Sequence, residues 1–175
     1  MSGTFVPGSF PGAPAEVAAA NPMLSNAGPA SWASRAPLPD YTVHGTPKIR
    51  PLRAVPGFSL DPYGPDPRGM EVVGGDGVVA GTIAEVWVDT AEPQVRYYEV
   101  ELLAGGRRVL LPYGFARVRA RERQVRVKAI HAAHFADVPP IASPDVVTLR
   151  EEDQVMAYYA GGYLWADPSR AEPLL

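Results

Sequence analysis

Five carboxylates fall within 17 positions, at Glu85, Asp89, Glu92, Glu99 and Glu101, with Arg96 the single cation among them. Carboxylates gathered this closely raise one another's proton affinity, which suits groups that accept and release protons near neutral pH. Asp89 and Glu92 flank a turn ahead of Pro93, where a surface proton can reach them. Alternation along the next strand places Glu99 and Glu101 on one face. The plainer alternative is an ordinary solvated strand face.

A basic cluster follows. Arg107, Arg108, Arg117, Arg119, Arg121, Arg123, Arg126 and Lys128 are half of the 16 cations, opposed within that span only by Glu122. Such a patch is either the polar face of two strands or a surface that meets anionic headgroups or acidic partner loops. Of the three histidines, His44 stands between Thr42 and Thr46 in an irregular stretch and could pass protons at the surface. His131 and His134 share one helical turn, but two ligands do not make a metal site.

Several chemistries are excluded by what is missing. There is no cysteine, hence no disulfide, thiolate nucleophile or cysteine-ligated metal. No nucleophile elbow, Walker loop or zinc-protease motif occurs, so the chain is not read as an enzyme. A net charge of −3 and a pI near 5.6 point away from nucleic acid. No apolar run reaches the roughly 18 to 20 residues of a membrane span, and the N-terminus has no charged region followed by an apolar one as a secretory signal has, which predicts a soluble, cytoplasmic protein.

The elements that must position these groups follow from proline placement and period. Thirteen of the 20 prolines lie before residue 68, where each ring fixes φ and removes a backbone donor. Residues 1–39 carry only Glu16 and Arg35 as charges and read either as plain disorder or as an extended arm, with Trp32 as its anchor to a partner surface. Residues 40–69 read as an irregular connection. From Met70 the pattern becomes β, with Asp76-Gly77 and Gly105-Gly106 as turns and about six short antiparallel strands, closed into a small barrel to remove exposed edges. Thr148 three residues before Glu151 is a capping box that opens a helix, expected to stop at Gly161-Gly162. The fold class is therefore mainly β: a barrel domain over 70–175 with a C-terminal helix, behind a long proline-rich arm.

Ordered motifs make the sequence more specific. Gly28-Pro-Ala-Ser-Trp32, Lys48-Ile-Arg-Pro51, Trp87-Val-Asp89, Arg96-Tyr-Tyr-Glu-Val-Glu-Leu102, Leu110-Leu-Pro112, Val147-Thr-Leu149, Glu151-Glu-Asp153 and Tyr159-Ala-Gly-Gly162 occur in a familiar order. Together, from about Phe10 to Pro168, they resemble the cytoplasmic part of the H subunit of purple-bacterial photosynthetic reaction centres. That family's domain is a PRC-barrel.

The resemblance implies a peripheral subunit on the cytoplasmic face of the photosynthetic inner membrane. It would stabilise the quinone-binding L- and M-type subunits and carry protons toward the secondary quinone. Glu92 matches the family's proton-transfer glutamate, and Asp89 and Arg96 match its neighbours. His44 matches one of two histidines at the proton uptake point. Thr46 and Thr42 replace the second histidine and an aspartate there, which puts that uptake point and its inhibitory metal site in doubt. A further family glutamate is Val146 here, with Asp145 beside it as the nearest substitute. Arg117, Arg119, Arg121 and Arg123, with Trp32, are the expected partner or membrane surface.

No cofactor is expected on this chain itself, whereas the complex would hold bacteriochlorophyll, bacteriopheophytin, quinones and non-haem iron. Family members begin with a transmembrane helix that this sequence lacks. Attachment would then rest on arm and barrel contacts, with antenna polypeptides or a separate helix-bearing anchor as further partners. The rival reading is a free-standing PRC-barrel adaptor that binds protein partners without touching a quinone.

Overall fold

The computed structural model describes residues 21–170, which form seven strands and one α-helix. The sheet is organised around one long strand, β3 (Val79–Asp89), whose Ile83, Val86, Trp87 and Val88 are all buried. β4 (Gln94–Leu102) runs antiparallel along one edge of β3. The other edge is shared: β2 (Glu71–Val73) takes the first half and β1 (Ile49–Pro51) the last three residues. β5 (Arg108–Pro112) pairs with β4, and β6 (Arg117–Arg119) pairs with β7 (Gln124–Arg126).

The pairing path is β5-β4-β3-β2-β7-β6. Its two ends are consecutive in the chain, joined by a single 3₁₀ turn at Tyr113–Phe115, so the sheet must curl back on itself. This is a mostly antiparallel barrel with one C-terminal helix, as the strand periodicity and turns predict. One pairing departs from that expectation, because β2 and β7 lie parallel. Another departure is β1, which lies in the 40–69 stretch read as irregular. Leu52 and Val55, just after β1, join the core.

Glycines appear where the backbone needs them. Gly77 has φ +77° in the β2–β3 turn, and Gly105 and Gly106 have φ +78° and +65° in the β4–β5 turn. Gly81 answers a different need, since a Cβ there would lie 2.2 Å from the carbonyl oxygen of Glu101 on β4.

Helix α1 (Leu149–Trp165) opens on the expected capping box: Thr148 Oγ1 accepts from Glu151 N–H at 3.1 Å, and Glu151 Oε1 accepts from Thr148 N–H at 3.1 Å. It does not stop at Gly161-Gly162 but continues one turn further. Both glycines are buried contact points instead. A Cβ on Gly161 would meet Ala30 Cβ at 2.8 Å, and one on Gly162 would meet Ile130 Cγ2 at 2.4 Å. Close approach, not termination, explains the pair. Tyr158 and Tyr159 fix α1 to the barrel by donating to the carbonyls of His134 and Leu110.

Residues 21–38 run over this same helix. Ala30 sits against Gly161, Asn21 Nδ2 donates to Asp137 and Tyr158, and Leu149 N–H donates to Leu38 O. The described part of the arm therefore lies on the chain's own helix, because small residues on both sides let two backbones meet. Residues 1–20 of the expected arm lie outside the described residues.

Candidate functional site

The end of β3 and the start of β4 gather three of the expected residues. Asp89 closes β3, buried, with Oδ1 accepting from the backbone N–H of Ala91 at 2.8 Å and of Glu92 at 3.1 Å. This cap folds the turn back on Asp89 and fixes its carboxylate. Glu92 contributes its amide to that cap while its own carboxylate stands exposed at the turn, with no ion pair among the described residues. Arg96 occupies a bulge in β4, where the register slips between Trp87 and Val88 of β3. From there its Nη1 lies 3.6 Å from Asp89 and its Nη2 3.9 Å from Glu152.

Glu152 and Tyr97 complete the group. Glu152 is in the first turns of α1 and only 8% exposed, and Tyr97 Oη donates to its Oε1 at 2.7 Å. Burial raises the Glu152 carboxyl above the usual carboxylate range, outweighing the opposing pull of the Tyr97 hydrogen bond and of Arg96. Burial and the neighbouring Glu152 charge likewise push the Tyr97 hydroxyl well up, so it stays a donor. The group lines a recess of about 390 Å³ whose other walls include Arg35, Asp40, Asp153 and Tyr113. The result is a buried carboxyl that takes a proton more readily than an exposed one, one guanidinium away from a second buried carboxylate and from solvent.

The other expected proton-transfer residues lie elsewhere. Asp145 joins a second cluster through Arg53, which is 3.1 Å from Asp145 and 2.9 Å from the buried Glu99, while its backbone N–H donates to Glu85. Glu85 and Glu99 are direct cross-strand partners, so Arg53 offsets a like-charge pair that would otherwise oppose strand pairing. Arg108 adds contacts to Glu99 and Glu101, which turns the expected solvated face into an acid–base lattice.

His44 stands at the tip of a small exposed hairpin closed by a bridge between Tyr41 and Pro47. Its neighbours Thr42 and Thr46 bond each other through their hydroxyls at 2.9 Å. The hairpin is rooted at the recess, because Lys48 N–H donates to Asp40 O and Asp40 lines the wall. His44 therefore projects from the rim and does not touch Asp89 or Glu92. Trp32 is half-buried, its N–H capped by Asn26 and its ring against recesses beside α1. Arg117, Arg119, Arg121 and Arg123 are all exposed on the β6–β7 hairpin.

Reasoning from sequence missed Glu152 and Tyr97 as members of this group. Tyr97 was in view only as part of a strand, and Glu152 lies 55 residues further on. The capping box that places Glu152 in the first turns of a helix is the one local signal for it. Among the described residues, no three metal-ligating side chains converge, and no helix is long and apolar enough to cross a membrane.

Two family models match this chain. Residues 6–54 match the photosynthetic reaction centre, H-chain N-terminal region, and residues 62–134 match the PRC-barrel domain. The first match ends just after β1, and the second covers β2 through β7.

Proposed function

This chain is a reaction centre H-chain-like protein with a PRC-barrel, and from that premise we propose that it caps quinone-binding membrane subunits and delivers protons toward their secondary quinone. The observation that carries the proposal is Arg96 bridging Asp89 and the buried Glu152 in one solvent-connected recess. A reduced quinone buried in a membrane protein must acquire protons, and an isolated charge could not reach it without large desolvation cost. A series of titratable groups, each within reach of the next through side chains or water, is the physical solution.

In this chain Glu92 is the exposed group that exchanges protons with solvent and faces the partner subunits. Asp89 is the fixed acceptor behind it, held in place by two backbone N–H groups. Arg96 lies within reach of both carboxyl groups, and Glu152 takes up a proton more readily than an exposed glutamate because burial raises its carboxyl. The hairpin bearing His44 widens the collecting area at the rim. Asp145, in the separate Arg53 cluster, serves the structure of the sheet rather than this path.

The rival adaptor reading needs only the barrel. The H-chain region over 6–54 and its contribution of β1 to the main sheet favour the subunit reading. Affinity purification of the tagged chain from photosynthetically grown cells tests it. Pigmented complexes with quinone-binding subunits should co-elute in stoichiometric amount. Recovery of the chain with unpigmented soluble partners alone would support the adaptor.

A further inference from the structure

Among the described residues, the β6–β7 hairpin and its extension to Lys128 gather the largest group of exposed cations without carboxylate partners; half-buried Arg50 on β1 has no ion pair either. Elsewhere Arg35, Lys48, Arg53, Arg68, Arg96 and Arg108 form ion pairs, and Arg107, Arg150 and Arg170 donate to backbone carbonyls. Arg117, Arg119, Arg121, Arg123, Arg126 and Lys128 have no carboxylate partner among the described residues, and all six are exposed. Glu122 at the turn is the only acid among them.

Their arrangement follows from the strand period. Val118, Val125 and Val127 point inward, which turns Arg117, Arg119, Arg126 and Lys128 outward together. The outcome is a cationic face with Arg121 and Arg123 at its tip.

Two local choices oppose folding of the hairpin. Arg117 stands directly opposite Arg126, a like-charge pair that weakens strand pairing. Arg123 adopts φ +51°, a left-handed conformation that glycine or asparagine would occupy with less strain. Neither choice benefits the isolated fold, and both add positive charge to the same face.

We propose that this hairpin is a docking surface for the anionic headgroup layer of a phospholipid membrane. Six exposed cations without carboxylate partners on one hairpin complement a layer of negative charge, and clusters of this size suffice for surface attraction. Nucleic acid is a poorer fit, because no aromatic side chain lies between Ala116 and Lys128 to stack on bases. The identity of the surface as the membrane that carries the complex rests on the subunit reading above, whereas binding to headgroups does not.

Vesicle sedimentation with the full chain provides the test. Vesicles of about 30% phosphatidylglycerol in phosphatidylcholine should pellet the chain at low salt, and pure phosphatidylcholine should not. Arg119→Glu with Arg121→Glu should lower the partition coefficient by roughly 25-fold or more, and so should high salt. Circular dichroism of this variant should match the parent, since both positions are exposed. Equal binding to both vesicles, no binding to either, or retention of a single-stranded RNA in place of anionic vesicles would overturn the proposal. Absence of anionic-vesicle binding by the parent chain, with intact co-purification of the complex, would reject this surface alone and leave the subunit reading standing.

Discussion

Glu152 lies among Tyr97, Arg96, Arg35 and Asp40, and the desolvation of its carboxyl, joined by the like charge of Asp40, outweighs the help of the other three. Its folded value lies above the ordinary 4.5, so between the two values the folded chain binds more protons than the unfolded one. Stability accordingly declines as pH rises through that window and stays reduced above it. Glu152→Gln keeps an acceptor for Tyr97 and removes the charge. The Arg96 contact it gives up is long and half-exposed, hence weak. The variant should melt at a higher temperature than the parent near neutral pH, with the advantage vanishing below pH 4.5; thermal melts across the pH range check this. The Asp89, Glu92 and Arg96 group was legible because eight consecutive positions hold all three around one turn. Glu152 was not legible, because its partnership with Tyr97 exists only once α1 packs on β4.

The same contrast between local and distant signals holds for whole elements. The capping box at Thr148 is complete within four residues, so it could be read directly, and Thr148→Ala should lower stability by about 1 kcal/mol. Gly161-Gly162 misled for the opposite reason, since its role depends on Ala30 and Ile130 far away in sequence. Gly162→Ala separates the two meanings. A helix-stopping glycine replaced inside the helix would gain up to about 1 kcal/mol from propensity. Here the new Cβ meets Ile130 Cγ2 at 2.4 Å and Ala129 O at 2.6 Å, so a net loss of about 1–3 kcal/mol is expected in denaturant titration. Gly114→Ala, which meets nothing within 4 Å, should change little. β1 escaped notice because three residues ending in Pro51 carry no period. The β2–β7 pairing escaped because parallel register is set by the curl of the sheet, not by either strand.

Across the whole molecule, β3 separates the two charged regions. The recess lies at its Asp89 end beside β1, while the basic hairpin joins through β2 beside Gly81 and Thr82. Seven extended residues span roughly 23 Å, so a surface bound at the hairpin leaves the recess open. The proline-rich front, read at first as an arm reaching to partners, supplies its described part to the chain's own helix and sheet. On the proposed reading, the turn at Glu92 and the rim around it face the partner subunits. The most direct measurement is the second, proton-coupled electron transfer to the secondary quinone after paired flashes, in complexes carrying Glu92→Gln. The account predicts that this step slows by roughly a hundredfold or more while the first electron transfer is unchanged. Second-flash kinetics identical to the parent at every pH would contradict proton delivery through this chain and leave it a structural cap.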